Sequence, residues 1–76
     1  MTTSAGQITP REAKVLSLYA QGYSLVDIGK ELWISPKTVE THIRNACERL
    51  EARAWRHAAY LALMRGLIHL SEPREF

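Results

Sequence analysis

The chain has 76 residues, room for one small domain, and a domain of that size buries only roughly 60% of the surface its unfolded form exposes. Hydrophobic residues make up 46% and charged residues 24%, which closes one compact core and excludes both a disordered chain and a multidomain enzyme within these residues. Ten Lys and Arg against eight Asp and Glu give a net charge of +2, which permits an anionic partner without demanding one.

In chain order, residues 1–7 read as a flexible arm. They carry no basic residue and precede no apolar run, so they lack the pattern of a secretory signal. Thr9-Pro10-Arg11-Glu12 combines a capping hydroxyl, a first-turn proline and a glutamate three residues after the cap, which predicts a strong helix start. Helix one places Val15, Leu16, Tyr19 and Ala20 on one stripe through Gln21, and Gly22 supplies the left-handed stop. Ser24 and Asp27 repeat the cap pattern, and Leu25, Ile28 and Leu32 recur at helical intervals, so helix two is short and ends near Leu32. Ser35-Pro36 opens helix three, whose apolar stripe of Val39, Ile43, Ala46 and Leu50 carries it to Leu50.

Only Trp33 and Ile34 join helices two and three, a tight turn between elements too short to be stable alone. That is helix-turn-helix spacing. A fourth helix runs from about Trp55 to Arg65 and stops at Gly66, although Glu51-Ala52-Arg53-Ala54 offers no capping or breaking residue to mark its start. Leu67, Ile68 and Leu70 are expected to fold back on the core, and residues 71–76 read as a polar tail. The predicted fold class is all-α, a compact four-helix domain over residues 8–70.

Opposite its apolar stripe, helix three carries Lys37, Glu40, Thr41, Arg44, Asn45 and Glu48. A helix fits the DNA major groove, where Arg donates two bonds to guanine, Asn pairs with adenine and a Thr methyl touches thymine, so Arg44 is the leading base-reading residue. The helix starts at Ser24 and Ser35 offer backbone N–H groups and partial positive charge suited to phosphates. The competing reading of the same residues is a solvated face with local ion pairs.

The remaining chemistry-bearing side chains point to structure rather than catalysis. His42 has no second ligand at a metal-binding interval, Cys47 has no companion cysteine, and no nucleophile, base and orienting group come together. Hence no cofactor, metal or enzymatic activity is expected, and the single cysteine fits a reducing cytoplasm. Trp33 is expected to plug the corner between helices two and three. For Trp55, partner contact and intramolecular packing stand level. Arg53, Arg56 and Arg65 form either a phosphate-binding edge or a solvated face.

Thr9-Pro10-Arg11-Glu12, Val15-Leu16, Ala20 with Gly22, Ile28-Gly29, Leu32, Ile34-Ser35, Lys37-Thr38-Val39 and His42 together resemble the LuxR/GerE-type helix-turn-helix domain. The resemblance runs from about Ile8 to Ile68, so a stand-alone member is expected. It implies that helix three reads the major groove and helix four mediates homodimer contacts. By the same resemblance, Glu40, Thr41 and Arg44 match base-facing positions, while Lys37, Thr38, His42, Asn45 and Arg49 match positions near the phosphate backbone or bracing the reader helix. The dimer surface would include parts of Trp55, Ala59, Ala62 and Leu63. The chain departs from the family pattern at Glu48, where a basic residue is common, at Glu51 and Ala52 in place of Gly and Val, and at Ala54 and Trp55 in place of a polar cap and arginine. The acidic departures imply weaker non-specific attraction to phosphates, and Ala54 and Trp55 imply a changed start and angle for helix four.

The resulting expectation is a cytoplasmic, sequence-specific DNA-binding transcription regulator that acts as a homodimer on double-stranded DNA. The alternative is a protein-interaction module that binds another regulator or RNA polymerase through the Trp55 to Leu63 surface.

Overall fold

The computed structural model describes residues 8–70, and the arm and tail expected at residues 1–7 and 71–76 lie outside them. Four helices follow one another: α1 (Pro10–Ala20), α2 (Leu25–Leu32), α3 (Pro36–Leu50) and α4 (Trp55–Met64). α1 begins as its sequence dictates. The Thr9 hydroxyl accepts from the Glu12 N–H at 3.1 Å, and Glu12 Oε1 accepts from the Thr9 N–H at 3.1 Å, so two otherwise orphaned donors are satisfied reciprocally. Ser24 and Ser35 cap α2 and α3 in the same manner, each hydroxyl accepting at 3.1 Å from the backbone N–H three residues on. Gly22 (φ 99°) provides the turn out of α1.

The core is one cluster. Val15, Leu16 and Leu18 of α1 meet Ile28 of α2, Val39, Ile43, Ala46 and Leu50 of α3, and Ala58 and Ala62 of α4. α1 lies against all three other helices, and α3 is packed on both sides, by α2 and by α4. Because α4 turns small alanine faces inward, it approaches α1 and α3 closely, and Ile68 closes the cluster after the chain turns at Gly66. The Ser17 hydroxyl donates to the His69 carbonyl at 2.7 Å, which holds that returning segment on α1. Leu70, expected on the core, is exposed instead, since the segment has already passed the end of the cluster at Ile68.

The break between α3 and α4 is made without a conventional breaking residue. Glu51 adopts the left-handed conformation (φ 57°), and the Ala52 N–H reaches back to the Cys47 carbonyl at 2.9 Å. α4 then starts at Ala54 with no side-chain cap on its first turn. His57 contributes from inside the helix, its Nδ1 accepting from the Arg53 N–H at 3.1 Å, which assigns the imidazole proton of the neutral ring to Nε2.

Trp33 reverses the expectation drawn from the sequence. Rather than filling the corner, it ends α2 in the left-handed conformation (φ 63°) and its side chain stands 92% exposed. The corner is filled by backbone instead. The Ile34 N–H donates to the Gly29 carbonyl at 3.0 Å, and a Cβ placed on Gly29 would lie 2.5 Å from the Ile34 carbonyl oxygen. The turn backbone is pressed directly on α2 there, and the Trp33 ring points out to solvent.

Candidate nucleic-acid interface

The close approach at Gly29 fixes how α3 leaves α2, and the buried stripe of Val39, Ile43, Ala46 and Leu50 fixes which side of α3 faces inward. Lys37, Thr38, Thr41, Arg44 and Glu48 are therefore exposed, with Glu40, His42, Asn45 and Cys47 half-buried along the flanks. Two features make this outer side a platform rather than a loose fringe. The Thr41 hydroxyl donates to the Lys37 carbonyl at 3.1 Å, and the Ser35 and Thr38 hydroxyls meet at 3.0 Å at the helix start.

Glu40 sits between the two outward cations. Its Oε2 accepts from Arg44 Nη2 at 2.6 Å, and its Oε1 lies 3.9 Å from Lys37 Nζ. The spacings of three and four residues place all three groups on one helix face. Ser24 and Ser35 are exposed at the two helix starts, and their first-turn backbone N–H groups carry the partial positive charge that favours an anion.

Arg49 has a different placement from Lys37 and Arg44. Its Nε lies 3.4 Å from Glu12 Oε1, the same oxygen that accepts from the Thr9 N–H. Glu12 is the one buried charged residue among those described, at 3% exposure. One carboxylate thus caps α1 and, through Arg49, ties it to the last turn of α3. The capping half of this role was visible in Thr9-Pro10-Arg11-Glu12. The other half joins residues far apart in the chain and left no local signal.

On α4, Trp55 is half-buried with its ring edge-on to Tyr19, centroids 5.9 Å apart at 78°, which favours intramolecular packing over a free contact. Ala59 and Ala62, expected on a dimer surface, are buried in the domain because α4 uses its alanines to approach α1 and α3. Leu63 is exposed, and with it Tyr60 and Met64. These three share a stripe at intervals of three and four, a periodicity present in the sequence but obscured there by the surrounding alanines. Arg53, Arg56 and Arg65 are exposed at either end of α4.

Burial, and then the neighbouring Glu48 carboxylate, push the Cys47 thiol above its usual ionisation range. Such a thiol stays protonated and packs as a small apolar group. Among the described residues no group of three or more His, Cys, Asp or Glu is placed to hold a metal ion, and no helix is long and apolar enough to cross a membrane.

This short capped helix, tight turn and braced outer helix coincide with a family pattern. Residues 6–62 match the model of the bacterial regulatory proteins of the LuxR family. The chain belongs to this family. It is therefore a LuxR/GerE-family DNA-binding domain of the transcription-regulator class, and that family is not an enzyme family. The transcriptional regulatory protein LiaR of Bacillus subtilis is 39% identical over 62 residues, covering 82% of this chain and 29% of LiaR. The transcriptional activator protein BjaR1 of Bradyrhizobium diazoefficiens is 38% identical over 63 residues, covering 83% of this chain and 26% of BjaR1. The chain thus spans less than a third of the length of either relative. A solved structure of the transcription factor GerE superposes with a TM-score of 0.79 at 34% identity, covering 84% of this chain and 96% of that one. The LuxR-type fold expected from the sequence is the fold observed.

Proposed function

We propose that this domain reads double-stranded DNA in a sequence-specific manner as a homodimer, with α3 in the major groove. The observation that carries the reading is the outer side of α3, where Lys37, Thr41 and Arg44 stand exposed on a helix held from behind by the core and by the Glu12–Arg49 pair. Arg44 donates to guanine and the Thr41 methyl meets thymine, while Glu40 accepts from a cytosine amino group. Lys37, the Ser35–Thr38 helix start and the Ser24 helix start take the flanking phosphates, and His42, Asn45 and Arg49 support the reader helix. The stripe of Tyr60, Leu63 and Met64 on α4 supplies the apolar contact between two copies. Their reader helices then enter successive grooves about 34 to 36 Å apart.

One observation favours a second reading, binding of another regulator or RNA polymerase. Trp33 stands out from the turn beside an open groove lined by Val26, Lys30, Ile34 and Pro36, a side chain enriched in protein interfaces. Selection from a random duplex library, followed by anisotropy titration at two salt concentrations and sedimentation of the complex, separates the readings. The DNA reading predicts a recovered sequence with two related half-sites and two chains per duplex. It also predicts that Arg44→Ala loses about 1–3 kcal/mol of discrimination at one base pair, whereas Lys37→Ala weakens all duplexes alike and lowers the salt slope by about 0.9. Recovery of no preferred sequence would leave the protein-binding reading in its place.

A further inference from the structure

The three cations of α3 are all held by carboxylates. Arg49 is drawn back to Glu12, and Lys37 and Arg44 share Glu40. Outside the Glu12–Arg49 pair, Lys37 and Arg44 of α3 are matched in number by Glu40 and Glu48, so these four side chains contribute no net charge to the helix despite the +2 of the chain. This differs from a basic reader helix, which gains affinity for any duplex by neutralising phosphates.

We infer that Glu40 is a specificity gate, a residue that suppresses binding to arbitrary DNA and releases Arg44 only at a step offering both a guanine and a cytosine. The inference rests on the DNA-reading proposal above and deepens it. In water the Glu40–Arg44 pair is a weak surface contact, easily opened. Between the phosphates of a groove, however, the carboxylate is repelled and loses water, and Arg44 is its nearest compensating charge. On arbitrary DNA, Arg44 either stays with Glu40 and contributes little, or leaves and strands the carboxylate. A matching step removes that choice. Guanine O6 and N7 accept from Arg44 while a cytosine N4 amino group donates to Glu40, so both charged groups exchange one partner for another. Four residues of helix rise about 6 Å, which places the two bases within about two steps of one another at about 3.4 Å per step.

The gate is tested with Glu40→Gln, an exposed-face substitution that keeps side-chain size and removes the charge, compared with Glu48→Gln, which removes a carboxylate not paired with Lys37 or Arg44. Wild type and both variants are titrated by anisotropy against random-sequence duplex and against the duplex recovered by wild type, over a salt series. The library selection is repeated with each variant. Glu40→Gln is expected to tighten random-duplex binding by about threefold to tenfold and to steepen the salt slope by about 0.9 as one more cation reaches a phosphate. Its ratio of selected to random affinity is expected to fall by about fivefold or more, with cytosine preference lost at a single position. Glu48→Gln should instead tighten both duplexes by the same factor and keep the selected sequence. A Glu40→Gln ratio that does not fall, or random-duplex binding that does not tighten, would overturn the gate alone. Failure of wild type to select any sequence would overturn the DNA-reading proposal, and the gate with it.

Discussion

Replacing Arg49 by methionine removes the guanidinium, keeps most of the aliphatic stem and leaves Glu12 where it is. The Glu12 side chain is only 4% exposed, so its carboxylate cannot recover the lost interaction from bulk water without opening the α1–α3 contact. Breaking a fully buried pair by removing one partner costs about 3–5 kcal/mol. Here the Arg49 side chain is 43% exposed, and the Thr9 N–H remains on the same oxygen, so the expected loss is smaller, about 2 kcal/mol. For a domain of this size that lowers Tm by about 8–16 °C. In a Glu12→Gln background the side chain still accepts from Thr9 but carries no charge, and Arg49→Met should cost only about 0.5 kcal/mol. The resulting coupling of about 1.5 kcal/mol is measurable by thermal and urea melts of the four proteins in a double-mutant cycle. A loss below about 0.5 kcal/mol, or the same loss in both backgrounds, would refute the bracing role.

Gly29→Ala is expected to destabilise the domain by about 2 kcal/mol or more in urea unfolding, because the added Cβ meets the Ile34 carbonyl oxygen at 2.5 Å and the backbone of the turn must move. Trp33→Gly should do the opposite. It relieves a left-handed conformation held by a bulky residue and sacrifices no buried surface, so a gain of about 0.5–1 kcal/mol is expected by the same assay. Cys47 should react with iodoacetamide at neutral pH more slowly than a cysteine in an unstructured peptide. Because the folded state holds the thiol proton to higher pH than the unfolded chain does, that contribution to stability is complete below the ordinary thiol range and fades as pH rises through the raised folded value. A melt series across that alkaline window, with Cys47→Ala as the reference, measures the difference.

Much of the fold was legible because its signals are local. Thr9, Ser24 and Ser35 announce three helix starts within one turn of themselves, and Val39, Ile43, Ala46 and Leu50 identify the buried side of α3 by period alone. The helix break at Glu51 was located but had no visible cause, since a left-handed glutamate lacks the compositional mark that glycine would leave. Trp33 shows the opposite failure. Its size and its place in a turn suggested a plug, yet the corner is closed by the Gly29–Ile34 backbone contact, a three-dimensional fact decided by a missing Cβ, and the ring is left in solvent. Among the proposed site residues, Lys37, Thr41 and Arg44 are exposed as the helical period requires. Ala59 and Ala62 went the other way, because small side chains suit a close helix contact inside a domain as well as between domains, and composition does not distinguish the two. The Glu12–Arg49 pair was out of reach for a further reason, since only the packing of α1 on α3 brings those residues together.

Entry of α3 into a DNA groove is tested most directly by an amide chemical-shift titration of the isotopically labelled chain with the duplex recovered by selection, read residue by residue. The largest changes are expected on Lys37 to Arg44 and on the first-turn amides after Ser24 and Ser35, with the guanidinium resonance of Arg44 shifting as it leaves Glu40. Changes confined to Tyr60, Leu63 and Met64, with the α3 amides unmoved, would contradict it.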